Sequence, residues 1–277
     1  MLWRCRCTWN DGIWNNGLFQ GGIWVLGKWN SGIFNTDYEP AYWLDGNWYG
    51  GDFENGMWYD GTWEQKNGLS RFGTKAYNSR TANWQAGKWV SGSFYSKINY
   101  DDEGYLDVCD IHKYSIWKTG SWMSGEWYGG IAYNMDYKTG TWYGGILEDI
   151  QVIGVDTVNN TFTVNGIFKF NIGDDIYMID NQVGNSYSVY GSNSNIGKYK
   201  VLYREEDNVN NYTTLYVNYN LATLGSSISA PYDTGLRIVS KFANVNWKTG
   251  IWTNGLYETG LWEGGIWYNG IFSGTWT

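Results

Sequence analysis

Residues 11–34 read Asp11-Gly12-Ile13-Trp14-Asn15-Asn16-Gly17-Leu18-Phe19-Gln20-Gly21-Gly22-Ile23-Trp24-Val25-Leu26-Gly27-Lys28-Trp29-Asn30-Ser31-Gly32-Ile33-Phe34. A glycine stands at 12, 17, 22, 27 and 32, and an aromatic ring follows each one two residues later. A fixed period decides the architecture before any weaker signal is weighed. Glycine and ring, two apart, share one side of an extended chain, and the residues flanking the ring face the other way. Those flanks are often polar (Asn15, Gln20, Asn30, Asp52, Glu54, Thr62, Glu64, Lys88, Glu126, Lys138), so the rings are expected inside. Pairs such as Asn16-Gly17, Asp45-Gly46, Asn55-Gly56 and Thr119-Gly120 end the pentads and are turn formers. The unit is therefore a short strand and a corner.

The period returns in blocks. The first runs from Cys7-Thr8-Trp9 to Phe34, the second from Ala41-Tyr42-Trp43 to Trp63, and the third from Ala82-Asn83-Trp84 to Phe94. The fourth runs from Ser115-Ile116-Trp117 to Leu147, with Ala132 once in place of a ring, and the fifth from Val245-Asn246-Trp247 to the end. Of the 20 tryptophans, all but Trp3 fall on the ring position of a pentad, and none lies in 151–244. This contrast divides the chain into a repeat array over 1–150 (with loops at 64–81 and 98–114), an inserted domain over 151–244, and a continuation of the array over 245–277. The inserted segment alternates apolar and polar residues between Asn-Asn, Asn-Gly and Gly-Asp turns, which predicts a small β-barrel or sandwich. Its expected strands are 151–155, 161–164, 166–170, 175–179, 199–203 and 213–217, with 236–240 returning.

The expected fold class is all-β, since 38 glycines and an aromatic content of 19% suit strands and corners better than helix interiors. Two topologies fit the pentads. Corners of a quarter turn give a square β-solenoid with four pentads per coil and a column of stacked rings. Corners that reverse the chain give an antiparallel zigzag meander. Phe19-Gln20-Gly21-Gly22-Ile23-Trp24 resembles the pentapeptide-repeat family, whose square β-helices put Leu or Phe where Trp stands here. The solenoid is the expectation carried forward. Phe170-Asn171-Ile172-Gly173-Asp174-Asp175-Ile176-Tyr177 and Gly197-Lys198-Tyr199-Lys200-Val201-Leu202 are similar to small barrel modules inserted in tailed-phage structural proteins, and glycine–aromatic pentads resemble those of phage virion proteins.

Chemistry is sparse. His112 is the single histidine, so no hydrolytic triad can draw on another imidazole base. Cys109 and His112 with Cys5 and Cys7 have zinc-ligand spacing within each half, but ordinary packing is the reading preferred for them. Asp101, Asp102, Glu103, Asp107 and Asp110 lack the alternation of a calcium loop and read as a solvated acidic segment. The glycines form no strand-to-helix phosphate loop. An enzyme is not expected, and no cofactor is implied.

The formal charge of −8 is thinly spread and argues against general nucleic-acid binding. No apolar run reaches the length of a membrane span. The first residues lack the pattern of a secretory leader, and three cysteines suit a reducing site of synthesis. In the first and last blocks the outward position before the ring is apolar at Ile13, Leu18, Ile23, Ile33, Ile251, Leu256, Leu261, Ile266 and Ile271, and these nine are the candidate partner-binding residues. Lys66, Arg71, Lys75 and Arg80 form a basic loop suited to an acidic partner surface. The combined expectation is a virion structural component of the tail, collar or fibre region, made in the host cytoplasm. Its expected partners are copies of itself and other virion subunits, with a host-surface glycan as a further candidate. The alternatives are an acidic pentapeptide-repeat module that mimics DNA toward a topoisomerase, and a carbohydrate-binding adhesin using outward tyrosines such as Tyr49, Tyr59, Tyr128, Tyr143 and Tyr268.

Overall fold

A computed structural model describes residues 1–75, 81–96, 114–180, 197–218, 227, 229–231 and 234–277. Among these residues there is no helix, and every strand pairing within the repeat array is parallel. Each short strand pairs with the one three pentads on: Trp14 with Trp29, Phe19 with Phe34, Trp9 with Trp24. One coil therefore takes three pentads, fifteen residues, and the array is a three-sided solenoid. Both expected topologies need correcting. The parallel ladders rule out the meander, and the three-strand spacing replaces the square coil with a triangular one.

The first face begins at Leu2–Trp3, the second at Thr8–Trp9 and the third at Ile13–Trp14, and each continues to the far end of the array. The backbone amides flanking each ring donate to the coil beneath, as Lys28 N does to Gly12 O and Asn30 N to Trp14 O, both at 2.8 Å. Inside, one ring per side meets its two neighbours edge to face. Trp9–Trp14 and Trp14–Phe19 lie at 5.7 and 6.0 Å with interplanar angles of 80° and 76°. Along the axis each ring stacks on the next, Trp24–Trp43–Trp58 at 4.8 and 4.7 Å and 6° throughout. Trp3 joins a column too, stacked on Phe19 at 5.7 Å, so the sequence pattern was wrong to set it apart.

Glycine is needed at the corners because the backbones of successive coils touch there. Gly61 has φ +120°, and a Cβ on it would lie 2.4 Å from Gly46 O. The same added carbon at Gly27 or Gly87 would sit 3.2 Å from Cζ2 of the preceding Trp24 or Trp84, so the glycine position opens into the space the ring fills. One rung reverses this arrangement. Ala132 holds the ring position, Met135 holds the glycine position three residues on, and both are fully buried in the core. A large residue and a small one have changed places, and core volume is roughly kept.

Extra residues are confined to corners. From Phe34 to Trp43 and from Phe72 to Trp84 the chain lengthens between the first and second faces, yet Phe53 still pairs with Phe34 and Trp58 with Trp84. The segment expected as one loop over 64–81 in fact contains a rung, Ser70–Phe72, with Phe72 stacked on Phe53 at 4.8 Å.

The largest insertion leaves the corner after Ile146–Leu147 and forms a closed six-stranded antiparallel barrel. Its wall runs Ile150–Asp156, Thr161–Asn165, Tyr212–Val217, Gly197–Asp207, Asp175–Asp180 and Leu236–Phe242, and the last strand pairs back to the first. Leu236–Phe242 belongs to both units. Its first half pairs in the barrel, and Ser240–Phe242 forms a rung of the third face. Residues 166–170, expected as a strand, are irregular. Phe168 and Phe170 nonetheless insert into the barrel core.

Candidate functional site: the outer faces

In a three-sided coil, residues fifteen apart share a face, so the nine apolar candidates separate. Leu18, Ile33 and Leu261 lie on the first face, Ile23, Ile251 and Ile266 on the second, and Ile13, Leu256 and Ile271 on the third. Ile13 and Ile266 are well exposed, at 58% and 50%, while Leu256 is buried. The nine do not form one surface.

The face-by-face register brings out a different row. On the second face the outward residue before the ring runs Thr8, Ile23, Tyr42, Met57, Asn83, Ile116, Ile131, Ile146, Ile251 and Ile266, each paired with the next. Only Thr8 and Asn83 interrupt an apolar ladder. The equivalent row of the first face passes through Asp52, Arg71, Ser93, Glu126, Thr141 and Asn246. That of the third face carries Lys28, Asn47, Thr62, Lys88, Ser121, Asp136 and Lys241. Tyr42, Met57, Ile116, Ile131 and Ile146 were missed because the period was read as five; a period of fifteen would have aligned them.

The basic residues are neutralised locally. Arg71 sits on a strand and grips Asp52 through two 2.7 Å contacts, and these hold its guanidinium above its ordinary range against the opposing effect of burial. Lys75 reaches Asp37 at 2.5 Å and Glu54 at 3.5 Å, and its pKa is raised, chiefly by the hydrogen bond to Asp37. Lys66 pairs with Glu64 at 3.2 Å and lies over the Tyr49 ring. Arg80 falls outside the described residues. Exposed pairs of this kind add little stability, and they leave no unopposed positive patch at Lys66, Arg71 and Lys75.

The outward tyrosines are also engaged. Tyr95, Tyr128 and Tyr143 stack in a ladder at 4.6 and 4.8 Å, with interplanar angles of 2° and 6°. Burial, and then the hydrogen bond from its hydroxyl to Glu126, raise the Tyr128 phenol pKa. A sugar stacks on a ring face, and within this ladder the faces are turned toward each other. Tyr59 lies under Lys169, while Tyr268 is 66% exposed.

Cys5 and Cys7 are joined by a disulfide, which removes them from the thiolate zinc set considered with Cys109 and His112. Cys109, His112 and the acidic residues 101–110 lie outside the described residues. Among the described residues no group of three or more His, Cys, Asp or Glu could hold a metal ion, and no helix is long and apolar enough to cross a membrane. Comparison with protein-family models, with curated proteins and with solved structures finds no match to this chain.

Proposed function

We propose that the chain is a structural component of a phage particle, in the tail, collar or fibre region, acting as a rigid spacer whose second face meets a neighbouring subunit. The observation that carries this reading is the apolar row on that face, set against rows on the other two faces that are apolar near their ends and charged or polar between them. Ten strands at about 4.8 Å spacing give a contact strip roughly 43 Å long. The row is broken at Asn83, and Ile131 within it is buried. Ile23, Tyr42, Met57, Ile116, Ile146, Ile251 and Ile266 are half-buried or exposed, and exposed apolar patches mark contact surfaces on soluble proteins. Rigidity follows from the core, where each ring is held by a stack along the axis and by edges across it. The glycine–aromatic pentads and their resemblance to phage virion repeats suggest the setting. The paired acids, Asp52 with Arg71 and Glu263 with Lys248, do not favour a duplex mimic, which needs an open acidic stripe.

The test is light scattering behind size exclusion on the full chain, with negative-stain images of the same peak. A symmetric multimer, ring or fibre is expected, and Ile146→Lys with Ile251→Lys should return it to monomer without loss of β signal. A monomer at all accessible concentrations, or a multimer indifferent to both lysines, would overturn the assignment of this face.

A further inference from the structure

Three tyrosines on the first face form a row that neither the core nor the apolar strip requires. Tyr95 follows Phe94, Tyr128 follows Trp127 and Tyr143 follows Trp142, and these three rungs are parallel and paired in register. Backbone bonds fix the row, since Tyr128 N donates to Phe94 O and Tyr143 N to Trp127 O, both at 2.8 Å. Gly73 precedes the row on one side and Lys248 follows it on the other, so the ladder has three members. Its ring centroids are 4.6 and 4.8 Å apart, with planes inclined by 2° and 6°. Like side chains leaving parallel strands in register stack edge over edge, so each carbon ortho to a hydroxyl lies over its counterpart on the next ring. Tyr95 and Tyr128 are half-buried, and Tyr143 is 38% exposed, so an oxidant in solvent reaches the ladder.

The middle ring also has a proton acceptor. Tyr128 donates its hydroxyl to Glu126 Oε2 at 2.9 Å, and Ser93 Oγ lies 3.4 Å from the same oxygen. A phenol gives up an electron more easily when a positioned base takes its proton, and Glu126 is placed as that base. Two other tyrosine pairs among the described residues lack one or both features. Tyr203 and Tyr216 meet at 5.5 Å but are inclined by 50°, although Tyr216 donates to Glu205 at 3.2 Å. Tyr42 and Tyr59 lie 6.4 Å apart, inclined by 33°.

We infer that the ladder is a site of oxidative cross-linking, at which Tyr128 couples to Tyr95 or to Tyr143 as a dityrosine staple between coils. The oxidant is hydrogen peroxide acting through a haem peroxidase, which draws one electron from each of two rings. Each ring gives up its hydroxyl proton, that of Tyr128 to Glu126 and that of its neighbour to water. The two phenoxyl radicals then join through carbons ortho to oxygen, forming one C–C bond. The hydrogen on each joined carbon leaves as a proton, and each oxygen takes one back. In sum two electrons and two protons leave the protein, and with them one peroxide becomes two waters. A bond from Tyr128 to Tyr95 spans the excursion over 98–114, and closing a long loop lowers the entropy of the unfolded chain. The bond lies within one chain and is independent of which face meets a neighbour.

The test treats the full chain at low concentration with a haem peroxidase and hydrogen peroxide, then maps proteolytic peptides by mass spectrometry. A peptide pair joining Tyr128 to Tyr95 or Tyr143 is expected, lighter by two hydrogens, with dityrosine fluorescence and a yield unchanged by dilution. That yield should exceed those of Tyr203–Tyr216 and Tyr42–Tyr59 several-fold. Glu126→Gln should slow the coupling several-fold with far-UV circular dichroism unchanged. Tyr128→Phe should keep the stack and abolish both links. Cross-links confined to other tyrosines, a yield that falls on dilution, or a yield indifferent to Tyr128→Phe would overturn the assignment. Where a variant does not fold, the cross-link map of the parent decides the question.

Discussion

The exchange of Ala132 and Met135 gives the sharpest test of how the core is filled. Register places Ala132 between Trp117 and Leu147 in the second-face column, where a tryptophan would continue the stack. An added carbon at Gly27 or Gly87, the pentad position that Met135 occupies, would meet the backbone one coil below at 2.4 or 2.6 Å and the preceding indole at 3.2 Å, so a ring at 132 and a side chain at 135 compete for space. Ala132→Trp alone overfills that volume and should cost about 1–3 kcal/mol. Met135→Gly alone empties it and should cost about 3–5 kcal/mol, mostly cavity with a smaller backbone-entropy share. Together the two substitutions restore the ordinary pentad, and the double variant should lie within about 1 kcal/mol of the parent. Independent sites add to within about 0.3–0.5 kcal/mol, whereas this cycle should show a favourable coupling of about 3 kcal/mol or more. Equilibrium urea unfolding followed by far-UV circular dichroism measures it, with slopes compared before midpoints are converted. A double variant as unstable as the sum of the singles would refute the shared volume and the inward placement of the glycine position.

Two further outcomes follow from the corners and the hairpins. Gly61→Ala forces a Cβ against Gly46 O at positive φ and should cost about 2–4 kcal/mol. Gly68→Ala, with positive φ but open space around it, should cost only about 1 kcal/mol; equal losses in the same urea assay would remove backbone contact as the cause. In the barrel, Asp156-Thr157-Val158-Asn159-Asn160 and Asp207-Asn208-Val209-Asn210-Asn211 form matching hairpin turns, each aspartate accepting from the amides two and three residues on. Those bonds depress both carboxyls, with Asn159 N foremost for Asp156 and the Asn210 side chain for Asp207. Their contribution is therefore present above the ordinary carboxylate pKa and lost as pH falls through the depressed values. The amide resonances of Val158, Asn159, Val209 and Asn210 should titrate together below the usual carboxylate range, and titration at the ordinary value would remove the hairpin bonds as its cause.

The interior was legible because glycine and ring recur every five residues with few slips, and alternation alone sends the rings inward. The number of sides was not. A corner glycine near φ +120° supplies a bend, but nothing in one pentad states how many bends close a coil. The coil length of fifteen is also disguised in sequence, since Phe34 to Trp43 and Phe72 to Trp84 exceed one pentad while the pairing continues beneath. The outer face was lost for the same reason. Ile116, Ile131 and Ile146 read as isolated residues at period five and become consecutive rungs at period fifteen. Arg71 was read as loop because its pentad begins with Ser70 instead of glycine, though Ser70 is buried and its strand is in register with Gly51–Phe53. Residues 166–170 looked like a strand because Phe168 and Phe170 alternate, yet their carbonyls are turned toward Lys118 and Thr119, which no periodicity records.

Ring size and glycine together account for three sides. In a pentapeptide-like coil the second inward position would hold a small side chain and keep the opposite walls apart. Here that position is glycine at most corners, where an added carbon would meet the backbone one coil below, and at Gly12, Gly27, Gly87, Gly92 and Gly255 it would meet the preceding indole. One large ring per side then reaches under the corner and touches both neighbours, as Trp43 does with Trp48 at 5.7 Å and with Phe34 at 6.2 Å. Three such rings at roughly right angles fill a triangle, while a fourth side would enlarge the interior and leave a void that this side-chain set cannot close. The exceptions obey the same geometry. Val245 stands in the glycine position three residues after Phe242, a ring without the indole's second lobe, and Met135 stands there after Ala132, where there is no ring at all. A larger residue at the corner is tolerated in proportion to what is missing at the preceding rung, so the two positions of each pentad act as one packing unit.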